Sequence, residues 1–329
     1  MNNRREFITL LGGAATWPLT ARAQQSERIR HIGVLMNTAA ESAEGRAGVA
    51  AFRQVMQQLG WTQGRNVQIE TRWGANDVDL DSRYAAELLA LAPDVVLASG
   101  TLSVTAFQRS TRTIPVVFVQ VSDPVGAGLV TSVARPGSNV TGFMNFEYSL
   151  SGKWLELLKQ IMPQLARAAV VRNPSNPAAT GQFGAIQALA QSLQVEVTTV
   201  DIRDTDEVER AVRALASAGN GGLIVAPSAG ESIHRGRVVE VAVKYKLPAV
   251  YSDRFNIIDG GLISYGPNRI DQFRLAAGYI DRILKGEKAA DLPVQAPTKY
   301  ELVINLRAAK AIGLEIPSSV LARATEVIE

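Results

Sequence analysis

Short apolar runs alternate with helical stripes along this chain, and the whole series runs twice; nothing else in the sequence restricts the fold as much. Ile32-Gly33-Val34-Leu35 reads as a buried strand, and Val49, Phe52, Met56 and Leu59 follow at helical spacing, with Gly60 placed to end that helix. Val67-Gln68-Ile69-Glu70 alternates like a strand, and Leu80, Tyr84, Leu88 and Leu91 form the next stripe. Asp94 to Ala98 and Ile114 to Val119 are a third and fourth strand. The series then restarts at Ala168-Ala169-Val170-Val171 and continues through Val195 to Val200 and Gly222-Leu223-Ile224-Val225. It ends at Leu247-Pro248-Ala249-Val250, a repeat of Ile114-Pro115-Val116-Val117. The spacing between equivalent segments drifts, so the architecture repeats and the sequence does not; two copies do not make a solenoid. Strand–helix alternation gives a parallel sheet covered on both faces. The expectation is an α/β protein of two doubly wound parallel-sheet lobes joined by a multi-strand hinge. Such sheets bind ligands beyond the carboxyl ends of their strands, so two facing lobes share one cleft.

Asn139-Val140-Thr141-Gly142-Phe143 and Gly260-Gly261-Leu262-Ile263-Ser264-Tyr265-Gly266 place glycine beside apolar residues, as hinge crossings do, although an edge strand with a turn reads the same way. Pro293 and Pro297 flank a third crossing. The expected division is lobe 1 at 28–140 with 263–288, and lobe 2 at 141–262 with 289–329. Residues 1–23 read as an export signal of the twin-arginine type: Arg4-Arg5, an uncharged stretch from Ile8 to Thr20, then Ala21-Arg22-Ala23 for cleavage. The stretch is shorter than the roughly 20 apolar residues of a membrane span. The remaining 300 or so residues suit two ordinary domains. A chain without cysteine forms no disulfide and carries no thiol for a lipid. The expected product is therefore soluble and periplasmic. No basic cluster marks a nucleic-acid footprint, and no second stretch is long enough for stable membrane insertion.

Several segments resemble one family, the substrate-binding proteins of ABC importers in the group with tryptophan- and tyrosine-binding members. The matching stretches are Ile114-Pro115-Val116-Val117-Phe118, Ser122-Asp123-Pro124-Val125-Gly126-Ala127-Gly128-Leu129-Val130 and Ala134-Arg135-Pro136-Gly137-Ser138-Asn139-Val140-Thr141-Gly142. Others are Leu155-Glu156-Leu157-Leu158-Lys159, Arg172-Asn173-Pro174-Ser175-Asn176-Pro177, Gly260 to Pro267, Ile283-Leu284-Lys285-Gly286, Asp291-Leu292-Pro293-Val294 and Glu301 to Asn305. The resemblance implies a type I periplasmic-binding-protein fold that closes on a small solute, an amino acid or related compound. Permease and ATPase subunits do the transport. Relatives in single-membrane bacteria are anchored through a cysteine that this chain lacks.

Candidate ligand residues lie at strand ends. Ser99-Gly100-Thr101 opens a helix whose free N–H groups suit a carboxylate, or else Ser99 is a plain N-cap. Asp123, before Pro124, either accepts from a ligand ammonium or opens a turn. Thr141 lies at the first crossing. Asn37 and Thr38 follow the first strand. In the second lobe Asn173 and Asn176 follow the first strand as amide contacts or turn formers, and Ser228 mirrors Ser99. Tyr251 and Asp253 follow the fourth strand. Tyr265 stacks on a flat ligand or belongs to the core. Trp73 and Trp154 are expected to pack.

No metal-ligand spacing surrounds His31 or His234. No G-x-S-x-G, Walker A or G-x-G-x-x-G motif is present, so no cofactor and no enzymatic activity are expected. A periplasmic sensing module for a receptor kinase shares the same plan. A repressor's ligand-binding domain does too, but it needs a helix-turn-helix where this chain has its signal.

Overall fold

A computed structural model describes residues 28–145, 148–174, 177–227 and 231–329. The expected signal at 1–23 and two candidate ligand residues, Asn176 and Ser228, lie outside the described residues. The first half runs β1 (Arg30–Met36), α1 (Ala43–Gln58), β2 (Val67–Trp73), α2 (Val78–Ala90), β3 (Val95–Ser99), α3 (Gly100–Ser110), β4 (Val116–Val121) and β5 (Val140–Met144). The second runs α4 (Ser151–Ile161), β6 (Arg167–Arg172), α5 (Pro177–Ala190), β7 (Glu196–Asp201), α6 (Thr205–Ala218), β8 (Gly221–Val225), α7 (Glu231–Lys244), β9 (Ala249–Tyr251), α8 (Phe255–Ile258) and β10 (Ile263–Pro267). After these come α9 (Arg269–Leu284), β11 (Tyr300–Asn305), α10 (Leu306–Ile312), α11 (Ser318–Leu321) and β12 (Glu326–Ile328).

Among the described residues these strands form two sheets, ordered β2-β1-β3-β4-β5 and β12-β11-β10-β9-β8-β6-β7. The first is parallel throughout. The second is parallel except between β10 and β11, which pair antiparallel, so β11 and β12 run together against the other five strands. The central strands β3, β4 and β8 are buried on both faces, whereas the edge strands β2, β7 and β12 are partly exposed. Ile32, Val34 and Met36 of β1 meet Phe52 and Met56 of α1 and Phe273 and Ile280 of α9. Leu35 points the other way, to Leu88 of α2 and Phe107 of α3. The second sheet has the same two cores, one around Trp154 and Leu158 of α4 and the other around Val212 of α6 and Val241 of α7. Burying side chains of this size contributes about 1.5–3 kcal/mol each. The helices start where the sequence supplies caps: Ser42 accepts from Gly45 N at 3.2 Å, and Asp77 from Leu80 N at 2.9 Å.

The lobe boundaries differ from the sequence-based division. β5, expected in the second lobe, pairs with β4 of the first sheet. β10, expected in the first lobe, pairs with β9 and β11 of the second. Residues 289–295 stay on the first lobe, where Ala289 and Leu292 join its core and Gln295 N donates to Gly142 O at 2.9 Å. The glycine-rich, β-branched segments are thus the last strands before a crossing. Their backbone groups pair within the sheet they leave, and the chain changes lobe just beyond them. Gly142 shows why glycine is needed there. Its φ is +154°, and a Cβ would lie 2.1 Å from the Phe118 carbonyl oxygen. The pairing of β4 with β5 slips between Phe118 and Val121, where Gln120 adopts φ +59°.

Candidate functional site: the cleft between the lobes

Helices that follow parallel strands begin at the strands' carboxyl edge. In the first lobe this edge carries Asn37 and Thr38 after β1, the β3–α3 junction, and Gln120 to Asp123 at the end of β4. The Ser99 hydroxyl donates to Asn37 Oδ1 at 2.8 Å and lies 3.4 Å from Gln120 Oε1. It is therefore turned away from its own helix, and no side chain caps α3. The first N–H groups of α3, at the positive end of its dipole, therefore have no side-chain cap. Gly100 sits at φ +81° against Asn37, which fixes the backbone of this turn.

Behind the junction runs a buried polar relay. Gln120 N donates to Gln272 Oε1 at 2.8 Å, and Gln272 Nε2 donates to Asn145 Oδ1 at 2.8 Å. Sequence reasoning passed over all three residues. The signal was present in part: Gln120 interrupts the otherwise apolar β4, and Gln272 falls on the buried stripe of α9 with Phe273, Ala276 and Ile280.

Buried side-chain polar atoms without a hydrogen-bond partner concentrate at the two carboxyl edges. Among the described residues they include Thr38 Oγ1 and Asp81 Oδ1 in the first lobe. In the second they include Ser151 Oγ, Arg172 Nε, both amide atoms of Gln182 and of Asn256, and Ser252 Oγ. Asn220 Oδ1 is the exception, at the opposite end of its sheet. Such groups are rare in folded interiors because each costs about 1–3 kcal/mol. Asp81 is 1% exposed, and burial pushes its carboxyl up to about 6; the Ser103 hydroxyl at 3.2 Å opposes this and Asp77 adds to it.

The remaining candidates have other surroundings. The Thr141 hydroxyl is fully buried and donates to Leu292 O at 2.6 Å, within the first lobe. Tyr251 is 1% exposed and packs in the second lobe's core; burial pushes its phenol up. Tyr265 stacks on Tyr300, ring centroids 5.9 Å apart at 29°, and lines a cavity of about 350 Å³ with Lys153, Leu157 and Arg323. Its partner is thus a side chain of its own lobe. Asn173 is half-buried at the second lobe's edge, beyond Arg172. Asp123 Oδ1 accepts from Gly126 N at 2.7 Å, and its Oδ2 accepts from the Tyr148 hydroxyl of the second lobe. Asp253 Oδ1 accepts from Phe255 N at 3.0 Å, and its Oδ2 accepts from Arg269 of the first lobe. Asn37, Thr38, Ser99, Gly100 and Thr101 stand together at the carboxyl edge of the first lobe, and Asp123 follows β4 at the same edge. Among the described residues no three metal-ligating side chains cluster, and no helix is long and apolar enough to cross a membrane.

Two α/β lobes whose carboxyl edges meet through Asp123–Tyr148 and Asp253–Arg269 follow the type I periplasmic plan. The model of the ABC transporter substrate-binding proteins matches residues 39–328, and the chain belongs to that family. A tyrosine-binding protein of Clostridioides difficile (strain R20291) is 28% identical over 268 residues, spanning 80% of this chain and 76% of that one. A Streptococcus pneumoniae ABC domain in complex with L-Trp is 25% identical with a TM-score of 0.81, covering 91% of this chain and all of that one. A ligand-free, open substrate-binding protein with adhesive properties from Clostridium difficile is 26% identical with a TM-score of 0.73, covering 92% and 99%.

Proposed function

We propose that this protein is the periplasmic receptor of an ABC importer, closing on an α-amino acid and presenting it to a membrane permease driven by a partner ATPase. The observation that carries this reading is the β3–α3 junction: an uncapped helix N-terminus beside Thr38, whose hydroxyl is buried without a partner. In this reading the solute carboxylate sits on the first N–H groups of α3, within reach of Thr101 and Thr38. Asn37, Ser99 and Gly100 shape that wall. Arg172 and Asn173, with Asn176 and Ser228, supply polar contacts from the second lobe. An aromatic amino acid is the favoured solute, because relatives of this chain bind tyrosine and L-Trp. The TM-score is 0.81 against the L-Trp complex and 0.73 against the open, ligand-free protein.

Thermal unfolding of the mature protein with each of the L-amino acids tests the reading. A solute at a hundred times its Kd stabilises by about 2.7 kcal/mol. L-tyrosine or L-tryptophan should raise the midpoint, and the corresponding amides, which lack the carboxylate, should not. No shift from any amino acid refutes it. For export, Arg4→Lys with Arg5→Lys should leave the precursor inside the cell; continued secretion refutes the twin-arginine route.

A further inference from the structure

The acidic residue that follows the fourth strand of each lobe is engaged by a side chain of the other lobe. Asp123 lies two residues beyond β4 and accepts from the Tyr148 hydroxyl. Tyr148 stands at the entry to the second lobe, just past the first crossing, with its ring against Gly181 of α5. Asp253 lies two residues beyond β9 and accepts from the Arg269 guanidinium. Arg269 opens α9 at the entry to the first lobe, just past the second crossing. The two contacts are equivalent under the internal repeat: carboxylate after the fourth strand, donor just after the chain has changed lobes. Both carboxylates are also fixed from their own side, Asp123 by Gly126 N and Asp253 by Phe255 N.

We infer that Asp123–Tyr148 and Asp253–Arg269 are paired clasps that hold the two lobes shut, and that they set how long a solute is retained rather than which solute is recognised. Contacts that exist only when the lobes meet stabilise the closed form alone, which is what a shift in the open–closed balance requires. Glu44 of α1 makes Arg269 an efficient donor. The Glu44 carboxylate is buried and lies 3.0 Å from the guanidinium, in the same lobe. It holds the long side chain extended across the gap, so less rotamer freedom is lost on closing. Neither clasp needs a solute atom. As positioning residues they act through the lobes on any solute that fits. This proposal rests on the cleft being the solute site.

The experiment uses mature protein carrying Tyr148→Phe, which keeps the ring on Gly181, or Asp253→Asn, and the double variant. Two readouts are small-angle scattering without solute, and stopped-flow tryptophan fluorescence with L-tyrosine and with L-tryptophan. Each single variant should raise the off-rate about five- to tenfold, with on-rates within about twofold, and the double should multiply the two effects. The solute-free variants should have a larger radius of gyration than the wild type. That last change is one that loss of a solute contact would not produce. Wild-type off-rates in both single variants, with an unchanged scattering profile, overturn the proposal. If the wild type binds neither amino acid, the solute reading fails and scattering alone decides: expanded variants support the clasps, and variants as compact as the wild type overturn them.

Discussion

Replacing Asp81 by asparagine isolates the cost of a carboxylate sealed beneath the cleft. Asp81 sits in the first turn of α2, 1% exposed, with one oxygen held by Ser103 and the other unpartnered. Burial raises its folded pKa from 3.8 to about 6. The sign follows from which state keeps the proton. Between about pH 4 and 6 the folded protein retains a proton that the unfolded chain has released. Stability from this group is therefore fully present below pH 4, declines as pH rises to about 6, and is level above that. At about 1.4 kcal/mol per unit, a shift of this size amounts to roughly 3 kcal/mol at most. Asparagine has no charge to desolvate at any pH. Urea unfolding of wild type and Asp81→Asn at pH 4, 5, 6 and 7.5 should give stability curves that diverge with rising pH. The variant's relative stability should grow by about 2–3 kcal/mol between pH 4 and pH 7.5, at constant m-value. Parallel curves refute the reasoning, since groups common to both proteins cancel in the difference.

Thr38→Val removes a buried hydroxyl that lacks a partner; it should stabilise the solute-free protein by about 1 kcal/mol while weakening amino-acid binding at least fivefold, as read by urea unfolding and calorimetry. Gln272→Leu leaves Gln120 N–H and the Asn145 amide oxygen unpaired, so it should lower stability by about 2–3 kcal/mol in the same unfolding assay. Gly142→Ala forces a Cβ onto the Phe118 carbonyl and should lower the unfolding midpoint steeply or abolish soluble expression, whereas Gly60→Ala, with nothing within 4 Å, should cost about 1–2 kcal/mol for its left-handed φ alone.

The strands and helices were legible because their signals are local. An apolar run such as Val116 to Val119 in β4, or the Phe52–Met56 spacing in α1, is complete within one element. The side of the molecule on which an element packs is not a local property. Helix α9 lies far along the chain but closes the first core through Phe273 and Ile280, and its stripe looks the same whichever lobe it covers. The direction of β11 carries no periodic signature either. Tyr251 and Tyr265 show a related limit. In a sheet covered on both faces, alternation does not distinguish core from cleft, so an aromatic near a strand end reads identically whether it packs inward or faces a ligand. Strand-end placement puts Asn37, Thr38 and Ser99 at one edge, where Ser99 donates to Asn37, because the carboxyl edge follows from connectivity. It did not reveal that the carboxylates of Asp123 and Asp253 are occupied, since their partners enter from the other lobe.

Orphaned polar groups that face the other lobe and the clasps act in opposite directions on closure. Each buried group that loses water without gaining a partner disfavours the shut form by about 1–3 kcal/mol. The clasps offset part of that. The two leave the solute-free equilibrium near balance, so a ligand contribution of a few kcal/mol completes closure. Two or three hydrogen bonds to groups such as Thr38, Arg172 and the first N–H groups of α3 are enough to supply it. An apolar molecule of the same size supplies none of them and leaves every orphan in place. Selectivity for a polar solute therefore arises from the cost of shutting the lobes on an unsatisfied wall, a property of the closed state that no single residue carries.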